Sequence, residues 1–203
     1  MRLIGVTGGV GAGKSEILQY VKQNYKCEVY LADEVAHKVQ EPGQPCYEKL
    51  VEIMGKGVLK PDGTIDRTIM ASRIFLEREL LLRVNALVYP AVQKYLLNRV
   101  KEARENPQIE LFFIEAALLI ETGYKEIGDE MWYIHADEEV RRKRLALSRG
   151  YAPLKITQIM DKQLSEEAFR SASDFIIDNS GTLEESFRQI DERLKSYTRR
   201  MAP

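Results

Sequence analysis

The sequence predicts an α/β fold in which a five-stranded parallel sheet is covered by helices. Short β-like runs alternate along the chain with longer helical runs, as expected when helices connect parallel strands. The run LFFI at residues 111–114 is apolar without interruption, which suits a strand buried on both faces. A glycine-rich loop at residues 8–15 joins the first apolar run to the first amphipathic one.

The predicted elements follow one another in that alternating order. We expect strands at Arg2 to Thr7, Glu28 to Leu31, Ile109 to Glu115, Glu130 to His135 and Asp174 to Asp178. We expect helices at Lys14 to Asn24, Asp33 to Gln40, much of Asp66 to Arg104, Asp137 to Arg149 and Leu183 to Ser196. The first helix carries apolar residues at helical spacing, at Ile17, Leu18 and Val21. Trp132 and the tyrosines are interpreted as core residues.

Two stretches interrupt the alternation. Residues 41–104 contain no convincing strand, only helical patterns punctuated by Pro42, Pro61 and Pro90, and they predict a mostly helical insertion. Residues 141–170 combine an arginine-rich helix with a polar helical stretch, and they predict a mobile lid. The sequence has no internal repeat or low-complexity tract. We therefore expect residues 1–203 to form one domain that carries an insertion and a lid.

Composition restricts the class of function. The formal net charge is -1, which argues against a general nucleic-acid binder, since such proteins usually present a strongly basic face. The chain has neither an apolar run of ~20 residues for a membrane span nor the leading apolar stretch of a signal peptide. Cys27 and Cys46 lie far apart without metal-binding spacing, which favours reduced thiols. The sequence predicts a soluble cytoplasmic protein and leaves the oligomeric state open.

Residues 8–15, which we call the phosphate loop, read GGVGAGKS and match the pattern GxxxxGK[ST]. Glycines allow successive backbone N–H groups to face a phosphate, and the following helix adds the positive end of its dipole. Lys14 is predicted to bridge the β- and γ-phosphates of ATP, and the Ser15 hydroxyl to ligate Mg²⁺. The predicted ATP-binding residues of this segment are Gly9, Val10, Gly11, Ala12, Gly13, Lys14, Ser15 and Glu16.

The surroundings of the phosphate loop favour a small kinase. The N-K-x-D segment by which signalling GTPases read guanine is missing from the sequence. Asp33 follows the second strand, and ligands of open α/β sheets bind beyond the carboxyl ends of the strands. Its carboxylate could accept the proton of an attacking hydroxyl, hold a metal-bound water, or cap the next helix. Spacing alone does not choose among these three roles.

The run RRKR, followed by Arg149, is the densest positive cluster of the chain. On a helix, Arg141 and Arg144 share one face. Arginines on a lid can fold over a triphosphate and neutralise the charge that develops on the transferred group. The same arginines could instead form a solvated helix face paired with Glu138 and Glu139.

Several segments together resemble the dephospho-coenzyme A kinase family. These segments are TGGVGAGKS, ADEVAHKV at residues 32–39, EPG at 41–43, ALLIE at 117–121, the RxxRL pattern and IIDNSG at 176–181. Many kinases share the phosphate loop, whereas the patterns ADxxAH and IDNxG are more particular to this family. The resemblance extends from the first strand to about Ser186.

The resemblance implies a P-loop kinase that uses Mg²⁺ and ATP to phosphorylate the ribose 3′-hydroxyl of dephospho-coenzyme A, the last step of coenzyme A synthesis. It implies that Asp33 is the base, that Arg144 and Arg149 are lid arginines, and that Asn179 lies on the adenine side. The predicted catalytic residues are Asp33, Lys14 and Arg144. The predicted acceptor-binding residues are Asp33, His37, Tyr89, Leu118 and Glu121.

The chain departs from the family pattern at several positions. Leu31 stands where an aspartate is usual, Tyr89 replaces the histidine of a His-Pro pair, and Ala117 replaces a proline. Glu16 stands in place of a threonine. His37 could be a general acid or a histidine that packs and supports the site. Two other functions stay open: a kinase of another small acceptor, and a nucleotide-gated regulatory protein.

Overall fold

The computed structural model describes residues 1–116, 119 and 127–198. The strands of this part of the chain are β1 (Arg2–Thr7), β2 (Cys27–Leu31), β3 (Leu111–Glu115), β4 (Glu130–His135) and β5 (Phe175–Asp178). The helices there are α1 (Lys14–Asn24), α2 (Ala32–Lys38), α3 (Tyr47–Met54), α4 (Arg67–Leu76), α5 (Arg78–Glu105), α6 (Glu138–Arg149), α7 (Pro153–Met160), α8 (Glu166–Ala172) and α9 (Leu183–Leu194). None of these helices is both long and apolar enough to span a membrane.

The strands form one sheet in the order β2-β3-β1-β4-β5. β1 pairs in parallel with β3 and β4, and β4 pairs in parallel with β5. The predicted five-stranded parallel sheet is confirmed. Since β1 is the central strand, the phosphate loop that follows it emerges at the middle of the carboxyl edge of the sheet.

The core is densest on the three central strands. The apolar run of β3 is at most 1% exposed, as its uninterrupted pattern predicts. Trp132 of β4 is fully buried, and its ring meets Phe113 and Phe175 edge-on at centroid distances of 5.4 and 5.2 Å. Such edge-to-face pairs stabilise a core beyond the area that they bury. The interpretation of Trp132 as a core residue is confirmed.

The chain divides into two compact units. The first unit comprises Met1–Val29 and Ala103–Pro203, and the second comprises Tyr30–Glu102. Most of the second unit is the helical insertion predicted at residues 41–104. The second unit begins earlier than the predicted insertion, and it therefore includes α2 with Asp33 and His37. That residues 1–203 form a single domain stays a prediction.

The insertion contains one long helix, α5, where the sequence pattern predicts an interruption at Pro90. Pro90, interpreted as punctuation, lies inside α5, which continues through it to Glu105. An internal proline removes one N–H donor and crowds one turn. α5 offsets that cost by burying Val84, Val88 and Leu96 over its 28 residues. The break in the predicted helical region occurs instead at Glu77, whose extended backbone ends α4.

A buried carboxylate fixes the amino edge of the sheet. Glu130, at the start of β4, accepts hydrogen bonds from Arg2, Trp132, Arg193 and Tyr197. Burial opposes the ionisation of Glu130, but the hydrogen bonds from Tyr197, Trp132 and Arg193 outweigh it, so the pKa of Glu130 is lowered. The network ties β1 and β4 to α9 at the edge opposite the phosphate loop.

We expect Glu130→Gln to lower the free energy of unfolding by about 1–3 kcal/mol, because the amide cannot satisfy all these donors. The native pKa of Glu130 is depressed, so its stabilising contribution is present above the unfolded pKa and is lost as pH falls through the native pKa. The difference between variant and wild type should therefore shrink in acid. Urea denaturation at neutral and acidic pH measures it.

Glu102→Gln is the matched control for this experiment. Glu102 pairs with Arg99 at 2.8 Å, but its side chain is 56% exposed, so water screens the pair. Its loss should be far smaller than that of Glu130→Gln. Equal losses for the two variants would contradict the structural role of Glu130.

Candidate active site

The phosphate loop takes its shape from glycines. Gly11 and Gly13 have φ angles of +83° and +90°, in the left-handed region that glycine adopts without strain. Gly13 is also the N-cap of α1, and no described side chain caps that helix. The N–H groups of the first turn of α1 are therefore available to an anion, and the dipole of the helix favours one there.

Protein atoms fill the outer side of this loop. A Cβ atom at Gly8 would lie 2.5 Å from the carbonyl oxygen of Ile134, and one at Gly13 would lie 2.2 Å from Asn179 Nδ2. A real Cβ atom essentially never lies this close to a nonbonded atom. Packing against β4 and against the segment after β5 therefore requires glycine at these two positions, independently of any phosphate.

Lys14 lies beside a carboxylate at the carboxyl edge of the sheet. Its Nζ donates to the Gly8 carbonyl at 2.8 Å and lies 3.5 Å from Glu115 Oε1. Both side chains are largely buried, at 17% and 15% exposure. Glu115 ends β3, the neighbour of β1, but it was not among the predicted site residues. Its position at a strand end next to the loop is the signal that could have identified it.

One face of α6 packs against the phosphate loop. Arg141 Nε donates to the Val10 carbonyl at 3.0 Å, and Arg144 Nη1 donates to the Ala12 carbonyl at 3.4 Å. Arg149 ends the same helix in an exposed position. The structure thus brings Arg141 and Arg144 to the loop together, and places Arg149 away from these contacts.

The alternative interpretation of the arginine-rich run, a solvated helix face paired with carboxylates, is correct for Arg142. Its guanidinium pairs with Glu138 at 2.7 Å and donates to Thr157 Oγ1 at 2.9 Å. The cluster therefore contains both kinds of arginine, one face turned to the loop and another to surface carboxylates.

Gln163, between α7 and α8, also reaches the phosphate loop. Its Oε1 accepts the backbone N–H of Val10 at 3.3 Å and a hydrogen bond from the Arg141 guanidinium. It was not predicted, because an isolated polar residue in a connection carries no pattern in the sequence.

Asn179 supports the loop from the other side. The residue is 1% exposed; its Nδ2 donates to the Ala12 carbonyl at 2.7 Å, and its Oδ1 accepts from Ser186 Oγ at 2.8 Å. The structure therefore gives the side chain two contacts within the protein. The predicted contact of Asn179 with the adenine of ATP stays a prediction.

The predicted acceptor residues of the second unit lie on α2 and α5. Leu31 is the N-cap of α2, so Asp33 lies inside the helix rather than capping it, and the capping alternative is wrong. Asp33 and His37 are exposed and four residues apart, on one face of α2. Tyr89 of α5 is 47% exposed. Leu118 and Glu121 lie outside the described residues.

A cavity of about 760 Å³ lies within the second unit beside His37. Its lining is mainly apolar, with two arginines that are the first residues of α4 and α5. The lining residues are His37, Gln40, Arg67, Met70, Ala71, Ile74, Phe75, Leu76, Arg78 and Leu81. Of the predicted acceptor residues that the structure describes, His37 is the one on this lining.

The protein donors near the loop suit a metal ion carried by a nucleotide. Ser15 and Glu16 are exposed on the first turn of α1, and Ser15 offers one hydroxyl oxygen. Among the described residues no group of three or more His, Cys, Asp or Glu side chains could hold a metal. Mg²⁺ commonly takes one or two protein oxygens and completes its shell with substrate phosphates and waters. The residues present fit that mode of binding.

The sequence model of one family, described as dephospho-CoA kinase, matches residues 2–185. The chain belongs to the dephospho-CoA kinase family. It is 33% identical over 199 residues to the dephospho-CoA kinase of Aquifex aeolicus, covering 98% of this chain and 99% of that protein. The predicted family and enzyme class are thereby confirmed.

Two solved structures share the fold. A Thermus thermophilus protein superimposes with a TM-score of 0.81 at 26% identity, over 97% of this chain and 98% of that one. The dephospho-CoA kinase from Campylobacter jejuni gives a TM-score of 0.72 at 23% identity, with the same coverage. The dephospho-CoA kinase family catalyses the last step of coenzyme A biosynthesis with ATP, and kinases of this kind generally require a divalent metal.

We expect Lys14→Ala to weaken ATP binding and to reduce turnover by roughly 10²-fold or more, because the predicted role of the ammonium is to contact the phosphates before and during transfer. Isothermal titration with MgATP and a coupled ADP assay measure the two effects. Lys22→Ala is the matched control, since Lys22 is an exposed lysine of the same helix. Unchanged ATP affinity in a folded Lys14→Ala protein would contradict the phosphate-binding role.

Proposed function

We propose that this chain transfers the γ-phosphate of MgATP to the ribose 3′-hydroxyl of dephospho-coenzyme A, giving coenzyme A and ADP. The observation that carries the proposal is the family match over residues 2–185, which includes both the phosphate loop and the Asp33 segment. The substrates are small molecules, so the proposal requires neither a nucleic acid nor a membrane. It includes a cytoplasmic location.

The ATP half of the proposed site is built on the phosphate loop. Backbone N–H groups of the loop and of the first turn of α1 would bind the phosphates. Lys14 would bridge the β- and γ-phosphates, and Ser15 would complete the shell of Mg²⁺. Arg144, which already contacts the Ala12 carbonyl, would neutralise charge on the transferred group. We also propose that Arg149 contacts ATP from the lid and that Asn179 contacts ATP on the adenine side.

The acceptor half of the proposed site is built on α2. Asp33 would accept the proton of the 3′-hydroxyl while its oxygen attacks the γ-phosphorus, and the bond from that phosphorus to the bridging oxygen breaks to release ADP. The exposure of Asp33 leaves its carboxylate accessible to a hydroxyl. His37, one helical turn further on, borders the cavity of the second unit and would contact the same acceptor. Tyr89, Leu118 and Glu121 complete the proposed acceptor contacts.

The direct test supplies the protein with MgATP and dephospho-coenzyme A. We expect ADP and coenzyme A in equal amounts, measured by a coupled assay and by mass spectrometry of the product. Shikimate and nucleoside monophosphates serve as competing acceptors. Phosphorylation of one of these without turnover of dephospho-coenzyme A would overturn the proposal. ATP hydrolysis that does not depend on any acceptor would favour a nucleotide-gated regulatory protein.

We expect Asp33→Asn to reduce turnover by roughly 10²–10⁴-fold, the range typical of a general base, while ATP affinity stays nearly unchanged. Steady-state kinetics and MgATP titration separate the two quantities. Glu34→Gln is the matched control, because Glu34 is the adjacent exposed carboxylate on α2. A parallel loss of ATP affinity in Asp33→Asn would indicate a metal-binding or structural role instead.

A further inference from the structure

Both backbone polar groups of Val10 are paired with side chains of the lid. The Val10 carbonyl accepts from Arg141 Nε at 3.0 Å, and the Val10 N–H donates to Gln163 Oε1 at 3.3 Å. Arg141 and Gln163 are in turn hydrogen-bonded to each other. These three residues form a closed ring of hydrogen bonds at the phosphate loop, and the proposed function uses neither Arg141 nor Gln163.

The Arg141 guanidinium occupies the space beside Gly9. A Cβ atom at Gly9 would lie 2.3 Å from Arg141 Nη2 and 2.5 Å from its Cζ. Gly9 is not among the glycines with positive φ, so its backbone would accept other residues. A larger residue at this position would force the guanidinium to move. The absence of a side chain at Gly9 thus leaves room for the Arg141 guanidinium beside the loop.

The hydrogen-bond acceptors of Arg141 are neutral, like the Ala12 carbonyl that Arg144 contacts and unlike the carboxylate partners of two other nearby arginines. Arg142 pairs with Glu138 at 2.7 Å and Arg170 pairs with Glu166 at 2.7 Å, whereas no described carboxylate forms a salt bridge with Arg141. Its side chain is half-buried, and burial lowers its pKa. A partly desolvated guanidinium that has only neutral acceptors gains from an anionic oxygen, since the opposite charge adds Coulomb attraction to the hydrogen bond.

We propose that Arg141 binds a phosphate oxygen of ATP, and that the amide oxygen of Gln163 holds the place of that oxygen until ATP displaces it. The inference rests on the proposed use of ATP by the phosphate loop. Gln163 is a positioning residue: its oxygen presents a partial negative charge to the two donors that would later meet phosphate, Val10 N–H and the Arg141 guanidinium. A fully charged phosphate oxygen replaces it favourably.

Binding of ATP would therefore compete with residue 163. Gln163→Ala removes the competing oxygen, and ATP affinity should rise by roughly 2- to 10-fold, the scale of the net contribution of one hydrogen bond. Gln163→Glu replaces the amide by a carboxylate that pairs with Arg141, and ATP affinity should fall by roughly 10-fold or more. A residue that merely holds the lid together would lower the affinity in both variants.

Arg141→Ala should weaken ATP binding by roughly 10- to 100-fold, because it removes a charged hydrogen-bond donor to phosphate. Arg141→Lys should recover part of the loss, since it retains the charge without the planar fork. Arg142→Ala is the matched control, because the neighbouring arginine pairs with Glu138 on another face of the helix. We expect its ATP affinity to equal that of wild type.

The experiment is isothermal titration of MgATP into the full-length variants, with melting temperatures recorded to confirm folding. We expect Gln163→Ala to bind ATP most tightly, wild type less tightly and Gln163→Glu least tightly. In an Arg141→Ala background, the difference in ATP affinity between the two Gln163 variants should largely disappear. Weakening in both Gln163 variants, or an Arg141→Ala affinity equal to that of Arg142→Ala, would overturn the inference. Neither result depends on an acceptor, so wild-type turnover of dephospho-coenzyme A tests the proposed function separately.

Discussion

The phosphate loop depends on the close packing of protein against its outer side. A loop that turns its N–H groups inward around a phosphate has to be held from outside. Here that support is backbone and side chain in direct contact: Ile134 against Gly8, Leu145 against Gly11, and Asn179 against Gly13. The loop keeps its shape only while β4, α6 and the segment after β5 stay in place. The shape of the phosphate loop is therefore a property of the first unit as a whole.

The two edges of the parallel sheet carry different groups: the candidate active site lies at the carboxyl edge, and a stabilising network lies at the amino edge. Because its strands run in one direction, their carboxyl ends meet at one edge, where β1 delivers the loop and β3 delivers Glu115 beside Lys14. The amino edge carries the buried network around Glu130, which joins β1, β4 and α9. At that edge the Glu130 carboxylate pairs with the guanidinium groups of Arg2 and Arg193. The same topology thus anchors the sheet at one edge and leaves the other edge for the proposed substrates.

Local patterns predicted the elements and the loop, and they failed where the decisive contact is not local. β1, β4 and α1 have the predicted bounds, because continuous apolar runs and the GKS turn mark them. Arg149 is five residues beyond Arg144, which on a helix is a rotation of about 140° from its face. A regular α6 therefore turns Arg144 to the loop and Arg149 to another side, and the predicted contact of Arg149 with ATP stays a prediction. Gln163 offered no such periodicity, since its partner Val10 lies 153 residues away.

The residues proposed for the two substrates fall in different units of the chain. Lys14, Glu115 and Arg144 belong to the first unit, whereas Asp33, His37 and Tyr89 belong to the second. The side chains that pack against the outer side of the loop also come from the first unit. A substitution on α2 can therefore change the acceptor groups without removing any of those packing contacts. Because of this division, a change in turnover caused by Asp33→Asn can be attributed to the acceptor side of the reaction. The exposed position of Asp33 on a short helix does not by itself decide its role.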